Sequence, residues 1–378
     1  MKKNYDAIII GGGVNGCSIA FQLGKRGYKT AIIEKNTIGA ESSGAAAGML
    51  GAQAEFGTND VYFQYACKSR ELFPELMNEL EEVTGMRAGY KENGMLKVAC
   101  THKETYQLRQ MEKMQKQAKQ EVHWLSKQDV QKLEPQLSEK IQGALYIPND
   151  GQVRADELTI ALSRAALNKG ADLYEFTEAL SLIKDDDHRV KGVKIDRGNL
   201  YANEVIIAAG VWSDRFVEGL PMIPVKGEIL SVRMENVPMN RTLHAANFYI
   251  VPKAGGSIYI GATETEGAFD KKVRAHSIQS LLEKAHTLVP ELESAEFEGA
   301  WSGVRPQTVD GMPYIGRGEK EGLWLATGHF RNGILLSAIT GEWMASLIAG
   351  ESTNKEWEAA FSPQRIQSKG ENKVEINY

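Results

Sequence analysis

The first hydrophobic positions fall in short unbroken runs. "YDAIII" (5–10) is built of aromatic, small and β-branched residues, the pattern of a parallel strand buried on both faces. Residues 14–25 then place Ile19, Ala20 and Leu23 at helical spacing, with Gly27 as the stop. "KTAIIE" (29–34) is a second apolar strand. Strand, helix and strand fit within about thirty residues, the size of one βαβ unit.

Beyond them the pattern changes. A small-residue tract, "GAESSGAAAGMLGAQ" (39–53), follows neither period. Helical segments are expected from Asp60 to about Val83, kinked near Pro74. Residues 104–120 read as a very polar helix with a thin stripe of Leu108, Met111 and Met114. "LSKQDVQKLEPQL" is a short capped helix ended by Pro135, "GALYIPNDGQV" a strand and turn, and "ADELTIALSRAALNKGA" an amphipathic helix stopped at Gly170. From 172 to 208, and again from 224 to 263, short strands separated by hairpin-type turns such as "KAGGS" predict an antiparallel sheet. "LWLATGHFRNGILLSAITGEWMASLIAG" reads as strand, glycine-flanked turn and helix. This alternation predicts interleaved rather than serial domains.

Composition narrows the class. The 378 residues are 42% hydrophobic and 25% charged, enough for a substantial core, and the net charge of −5 argues against nucleic acid or an anionic membrane as main partner. The start "MKKNYDAIIIGGG" imitates a signal peptide only faintly, since its apolar run is short and follows Asp6. No run approaches the roughly 20 apolar residues of a membrane span. Cys17, Cys67 and Cys100, with no CxxC spacing, read as reduced thiols. The expectation is a cytoplasmic chain, without a metal.

The chemistry begins at "IIIGGGVNGCSIA". Gly11, Gly13 and Gly16 form G-x-G-x-x-G between a strand and a helix, and Glu34 ends the next strand about twenty residues on. Alone, the glycines are a weak signal with a plain structural turn as the other reading; with the strand context and Glu34, which suits ribose hydroxyls, they predict dinucleotide binding. The acidic residue argues against a 2′-phosphate, leaving FAD or NAD. "SSGAAAGML" favours FAD, because small side chains let a loop press its backbone on a planar ring, although a plain small-residue helix start reads the same way. "ATGHFRNGILLS" (326–337) also favours it, as a turn whose helix N–H groups would face the flavin O2 edge. There is no second G-x-G-x-x-G, so electrons must come from the substrate.

In this order, "IIIGGGVNG", "SGAAAGMLGAQAE", "LEPQL", "VIIAAGVWS", "PVKGE", "FYIVPK", "GATE", "WSGVRPQTVDGMPYIG" and "GHFRNGILLSAITG" carry a resemblance over about residues 4–350. The chain resembles the D-amino-acid oxidase superfamily of FAD-dependent amine oxidases, and within it the glycine oxidase (ThiO) type. The resemblance implies an α/β (α+β) fold, a Rossmann-like FAD-binding domain interleaved with an antiparallel-sheet substrate domain. Residues 1–85, 145–220 and 306–363 are assigned to the first, 86–144 and 221–305 to the second, and 364–378 to a polar tail.

It also implies FAD contacts, beyond the three glycines, at Val14, Asn15, Glu34, Lys35, Ser42, Ser43, Ala47, Gly48, Met49 and the Ala179 backbone. The run His329, Phe330, Arg331, Asn332, Gly333, Ile334 and Leu335 would contact FAD as well. The substrate carboxylate would sit on Arg305 with Tyr249 and Arg331 alongside, and Met49, Gly51, Asn247 and Glu264 would line the pocket. Read from the residues alone, Arg305 in "SGVRPQT" has no helical pairing and a fork suited to carboxylates, or else makes a structural salt bridge. Tyr249 in "FYIV" is by default a core tyrosine, and Arg331 equally a surface charge.

The implied chemistry is hydride transfer from a neutral amino acid to FAD, with no acid or base residue. The imine product hydrolyses to a 2-oxo acid and ammonia, and dioxygen becomes hydrogen peroxide. Glycine, sarcosine, small D-amino acids and N-substituted glycines are the implied substrates, thiamine (thiazole) biosynthesis the implied role, and a homotetramer the implied assembly. His329 would be a flavin contact or stand behind one. Two positions depart from the family pattern: Glu264 follows "GAT" in place of methionine, and Asn247 stands two before the tyrosine. No cysteine follows Cys100, so the flavin should be non-covalent. The alternative is a D-amino-acid or sarcosine dehydrogenase or oxidase of the same superfamily with another acceptor.

Overall fold

The computed structural model describes residues 3–365. The expected polar tail lies, from residue 366 on, outside the described residues. In chain order the first strands are β1 (Lys3–Ile10), β2 (Thr30–Ile33), β3 (Met49–Leu50), β4 (Met95–Ala99), β5 (His123–Ser126), β6 (Gly143–Ile147) and β7 (Gly151–Gln152). Then come β8 (Asp172–Tyr174), β9 (Ala179–Lys184), β10 (Val190–Ile195), β11 (Gly198–Ile207), β12 (Met222–Arg233) and β13 (Thr242–His244). The last are β14 (Tyr249–Pro252), β15 (Ser257–Gly261), β16 (Thr265–Glu266), β17 (Glu296–Thr308), β18 (Tyr314–Arg317) and β19 (Leu323–Thr327).

The helices that shape the site are α1 (Val14–Lys25), α2 (Ser42–Ala45), α3 (Ala52–Glu55), α4 (Val61–Thr84) and α5 (His102–Gln117). They are followed by α6 (Lys127–Leu133), α7 (Ala155–Asn168), α8 (Ala275–Leu288), α9 (Ser337–Ile348) and α10 (Lys355–Phe361). Among the described residues no helix is long and apolar enough to cross a membrane.

By contacts the chain divides into two units, one taking residues up to Ala40, Thr159–Ile223 and those from Pro306 on, the other Glu41–Leu158 and Pro224–Arg305. Residues 41–85 and 145–158, expected with the nucleotide-binding part, therefore group with the second unit. The reason is pairing: β3 pairs β7, β6 pairs β4 and β5, and the Asp150 carboxylate accepts from the Gln53 and Ala54 N–H groups.

The first unit is built on an eight-stranded sheet, β18-β19-β11-β1-β2-β8, with β10 on β11 and β9 on β10. β1 lies parallel between β11 and β2, so its Ala7, Ile8 and Ile9 are wholly buried, which is why the run needs no polar alternation. Helix α1 packs on α9 so closely that a Cβ at Gly341 would lie 2.1 Å from Ser18 Oγ, and that hydroxyl donates to the Ser337 carbonyl.

The second unit holds a nine-stranded sheet, β16-β12-β15-β14-β13-β4-β6-β5, with β17 on β12. The expected antiparallel sheet is thus two sheets: the strands of 172–208 join β1, and only those of 224–263 join this one. Its β13–β4 pair is parallel. Alternation sorts its two faces. Leu96, Leu230, Leu243, Ile250 and Ile260 pack with Leu281, Ala285 and Leu288 of α8. On the other face Ile229 and Val251 meet Ala47, Met49, Tyr249, Tyr259 and Trp301, while Met95 and Leu145 meet Ala54. That second face carries the small-residue tract.

One local expectation shifts. Helix α4 runs through Pro74 as one element and ends at Gly85 in the left-handed region. Between the glycine-flanked turn and the last long helix, which begins at Ser337, a 3₁₀ turn at Phe330–Asn332 intervenes. That turn follows Gly328 at φ +80° and opens on Phe330 at φ +47°.

Candidate active site

In the first unit the glycine turn is fixed by backbone against backbone. Gly11 has φ +112°, and a Cβ there would lie 2.4 Å from the Ala208 carbonyl oxygen at the end of β11. A Cβ at Gly16 would lie 2.1 Å from the Gly11 carbonyl. Gly13 is the N-cap of α1, which has neither a side-chain cap nor an acidic residue in its first turn. No side chain of α1 itself thus puts an anion at its positive end.

Glu34 spends one lone pair of each oxygen on backbone: Oε2 accepts from Gly12 N–H and Oε1 from Asn36 N–H, both at 2.8 Å. A carboxylate has about four acceptor sites, so two remain for hydroxyls. Thr177 N–H donates to the Glu34 carbonyl, and Lys35 Nζ pairs with Glu178 Oε1 at 2.9 Å, which brings Ala179 at the start of β9 beside them. Asn15 Nδ2 reaches the Gly333 carbonyl at 3.4 Å, joining the turn to the run 329–335. Asn15 Oδ1 is buried with no hydrogen-bond partner among the described residues, an acceptor left for a ligand donor.

His329 is buried, with Nε2 3.2 Å from Thr340 Oγ1. Burial pushes its pKa down to about 3, so the ring is neutral. Ile334 and Leu335 are buried, Phe330, Asn332 and Gly333 half-buried, and Arg331 exposed.

In the second unit the small-residue tract sits against the sheet. Ser42 Oγ donates to the Val304 carbonyl at 2.5 Å, Trp301 Nε1 donates to the Ala45 carbonyl, and a Cβ at Gly303 would lie 2.7 Å from Ala45 Cβ. Ser43 lies in the same turn of α2, half-buried. Ala47 is buried, and Gly48, at φ +78°, leaves no room for a Cβ, which would meet the Val153 carbonyl at 2.0 Å. Met49 is half-buried and pairs with Gln152, and Gly51 is the N-cap of α3. Beneath this ribbon Lys253 Nζ donates to Gln152 Oε1 (2.9 Å) and the Val153 carbonyl (2.8 Å). Burial, with the Arg154 charge adding, lowers its pKa to about 7.

Arg305 lies on the same face. Among the described residues its polar partner is the Thr263 carbonyl, at 3.3 Å, and no carboxylate pairs with it. The structural salt bridge left open by the sequence is absent there. Its guanidinium rests over Gly227, and the Tyr249 ring rests over Gly261, to which β14 pairs Tyr249. Thr263 hydrogen-bonds Glu228 through both N–H and Oγ1, which holds this corner of β12 and the residues after β15 together. Glu264 follows directly and Asn247 precedes Tyr249 by two; both are exposed. Arg331 belongs to the other unit.

Sequence reasoning missed three features of this face. Gly227 and Gly261 stood in quoted motifs without a role, and Lys253 looked like a turn lysine. His244 Nε2, 3.2 Å from Glu55 Oε1, sits directly opposite Tyr249 in the β13–β14 pair. Only the sheet register reveals it.

A βαβ glycine turn with an acidic strand end, joined in one chain to a sheet bearing a half-buried guanidinium that pairs with no carboxylate among the described residues, defines a dinucleotide-dependent oxidoreductase. The model of the FAD dependent oxidoreductase family matches residues 6–347, and the chain belongs to that family. Its cofactor is FAD, and the residues of the first unit fit it: a helix N-terminus without a side-chain cap, spare acceptors on Glu34 and the orphaned Asn15 Oδ1. The chain is 44% identical over 360 residues to the glycine oxidase of Geobacillus kaustophilus (strain HTA426), covering 93% of this chain and 95% of that one. It is 37% identical over 373 residues to the glycine oxidase of Bacillus subtilis (strain 168), covering 97% and 99%. The crystal structure of the Geobacillus kaustophilus glycine oxidase matches with TM-score 0.93 at 43% identity, covering 96% of this chain and 99% of that one.

Proposed function

We propose that the chain is a glycine oxidase: glycine, water and dioxygen go to glyoxylate, ammonia and hydrogen peroxide, with sarcosine and other small amines as further substrates. The observation that carries this reading is Arg305. A guanidinium fork that is half-buried, lacks a carboxylate among the described residues and shares a sheet face with the Tyr249 phenol is chemically a carboxylate receptor.

Residues of the first unit, Gly11, Gly13, Val14, Asn15, Gly16, Glu34, Lys35 and the Ala179 backbone, would hold the adenosine and pyrophosphate, with His329–Leu335 toward the flavin. Of the second unit, Ser42, Ser43, Ala47, Gly48 and Met49 would contact FAD, and Arg305, Tyr249, Glu264, Asn247, Met49 and Gly51 the substrate. Arg331 would assist with the carboxylate. When bound, FAD supplies the acceptor for the α-hydrogen and passes the electron pair to dioxygen.

The protein's part is orientation. Arg305 and Tyr249 hold the carboxylate so that the α-carbon has one approach, and His329, its pKa lowered by burial to about 3, is too weak a base to take the substrate's proton. Imine hydrolysis then needs only water. The flavin is non-covalent in this reading: Cys17 and Cys67 are buried with thiol pKa values pushed up by burial, and no cysteine follows Cys100. A homotetramer in the cytoplasm, serving thiamine biosynthesis without nucleic acid or membrane, completes the proposal by resemblance.

The test is a panel of glycine, sarcosine, D-amino acids and N-substituted glycines with peroxide detection on the purified yellow protein. Peroxide with glycine, and flavin released on acid precipitation, are expected. Turnover only with an artificial electron acceptor and no peroxide would favour the dehydrogenase alternative.

A further inference from the structure

Two glycines of the second unit stand in neighbouring strands of its sheet. Neither Gly227 in β12 nor Gly261 at the end of β15 has a positive φ, and Gly261 opens the cis peptide bond to Ala262. Glycine within a strand forgoes packing and marks a close approach. What approaches is specific. The three atoms nearest a Cβ at Gly227 all belong to the Arg305 guanidinium: Nη2 at 2.4 Å, Cζ at 2.6 Å and Nη1 at 2.9 Å. At Gly261 all three belong to Tyr249: the hydroxyl at 2.6 Å, with Cε2 and Cζ at 2.8 Å. Gly261 pairs with Ile229, two residues from Gly227, so both glycines lie on one sheet face.

We infer that Gly227 and Gly261 are the seats of the substrate clamp, setting the height at which the guanidinium and the phenol stand above the sheet. This rests on the reading of Arg305 and Tyr249 as the carboxylate site. At each position the obstruction is the tip of a side chain and not backbone. A methyl group there leaves the strand in place and lifts the tip. The carboxylate moves with it, and a displacement of about 1 Å at the reacting centre can cost around a hundredfold in rate. These are positioning residues, and they differ in this from Gly11, Gly16 and Gly48, where the atom nearest a Cβ is a carbonyl oxygen.

The experiment uses the FAD-loaded proteins G227A, R305A and G227A/R305A. It reads the acetate Kd from the flavin visible spectrum, KM and kcat for glycine, FAD affinity and Tm. The expected result is that G227A raises acetate Kd and glycine KM together by about tenfold or more, while FAD affinity and Tm stay near wild type. On the R305A background the same change should move acetate Kd by less than about twofold, because Gly227 acts through Arg305. Equal losses on both backgrounds, or an unchanged acetate Kd in G227A, overturn the inference. If R305A alone binds acetate like wild type, the carboxylate site is elsewhere and the inference falls with the reading beneath it. Should G227A not fold, the cycle of G261A with Y249A decides in the same way.

Discussion

The glycine turn after β1 and the sheet face under Arg305 both depend on glycine, for opposite reasons. At Gly11 and Gly16 the obstacle to a side chain is a carbonyl oxygen of the main chain, 2.4 and 2.1 Å away. At Gly227 and Gly261 it is a guanidinium and a phenol. Backbone crowding recurs at fixed spacing, because helix and strand geometry dictate where main-chain atoms meet. Side-chain crowding depends on which residue happens to stand across the sheet. The first kind of site writes a motif; the second writes isolated glycines without a pattern.

The largest effect should come from breaking the first region. G16A forces a methyl into the Gly11 carbonyl, which no rotamer change relieves, so FAD binding should fall by at least about a hundredfold and Tm should drop. Equilibrium dialysis against FAD checks it; an alanine variant that keeps wild-type affinity would mean that the turn relaxes and the contrast is empty.

R305A comes next, with kcat/KM for glycine expected to fall about a hundredfold to a thousandfold while the protein stays yellow. R305K should recover only part, since an ammonium lacks the planar fork. Steady-state kinetics with wild-type values in R305A would move the carboxylate site off this face.

E34Q sharpens the comparison from the other side. Glutamine keeps one acceptor oxygen for the two backbone N–H groups that Glu34 satisfies, so FAD Kd should rise about tenfold, or about 1.4 kcal/mol. With saturating FAD, kcat should not change, and a lowered kcat under those conditions would remove Glu34 from the adenosine end.

The smallest effect concerns the exposed residues at the edge of the sheet face. E264M, alone or with N247H, should shift the ratio of kcat/KM between glycine and an anionic N-substituted glycine such as iminodiacetate by about threefold to tenfold, by removing a negative charge near the path of a second carboxylate. An unchanged ratio across the substrate panel would place both outside the pocket.

The legibility of the sequence follows the same division. The strand–turn–helix–strand start, Glu34 and the capped α6 were readable because their causes lie within a few residues: periodicity, a tight turn, and the Ser126 cap on Asp129 N–H. Residues 41–85 group by contacts with the second unit because their anchor is β7 and Asp150, about a hundred residues away in the chain, where no local pattern points to it. Arg305 was singled out by lacking a local partner, and Tyr249 by resemblance. The His244–Glu55 pair and the buried Lys253 had no local signature, being set by strand register alone.

Lys253 has a consequence outside catalysis. In the native protein its amine titrates near pH 7, whereas an unfolded lysine titrates near about 10.4. Between those values the unfolded chain carries a proton that the native chain does not, so stability rises with pH across that window and declines as pH falls toward 7. Burial chiefly sets where the window begins, and the charged and titratable neighbours that face the amine, Arg154, Asp156, Lys91, Glu157 and Tyr259, adjust it. Heat unfolding at about pH 9 should therefore consume a proton from the medium. Scanning calorimetry in two buffers of different ionisation heat would record it as a difference in apparent unfolding enthalpy between wild type and K253M. The lysine that ties the small-residue ribbon to its sheet thus makes melting a reaction in which the solvent's acidity is a reagent.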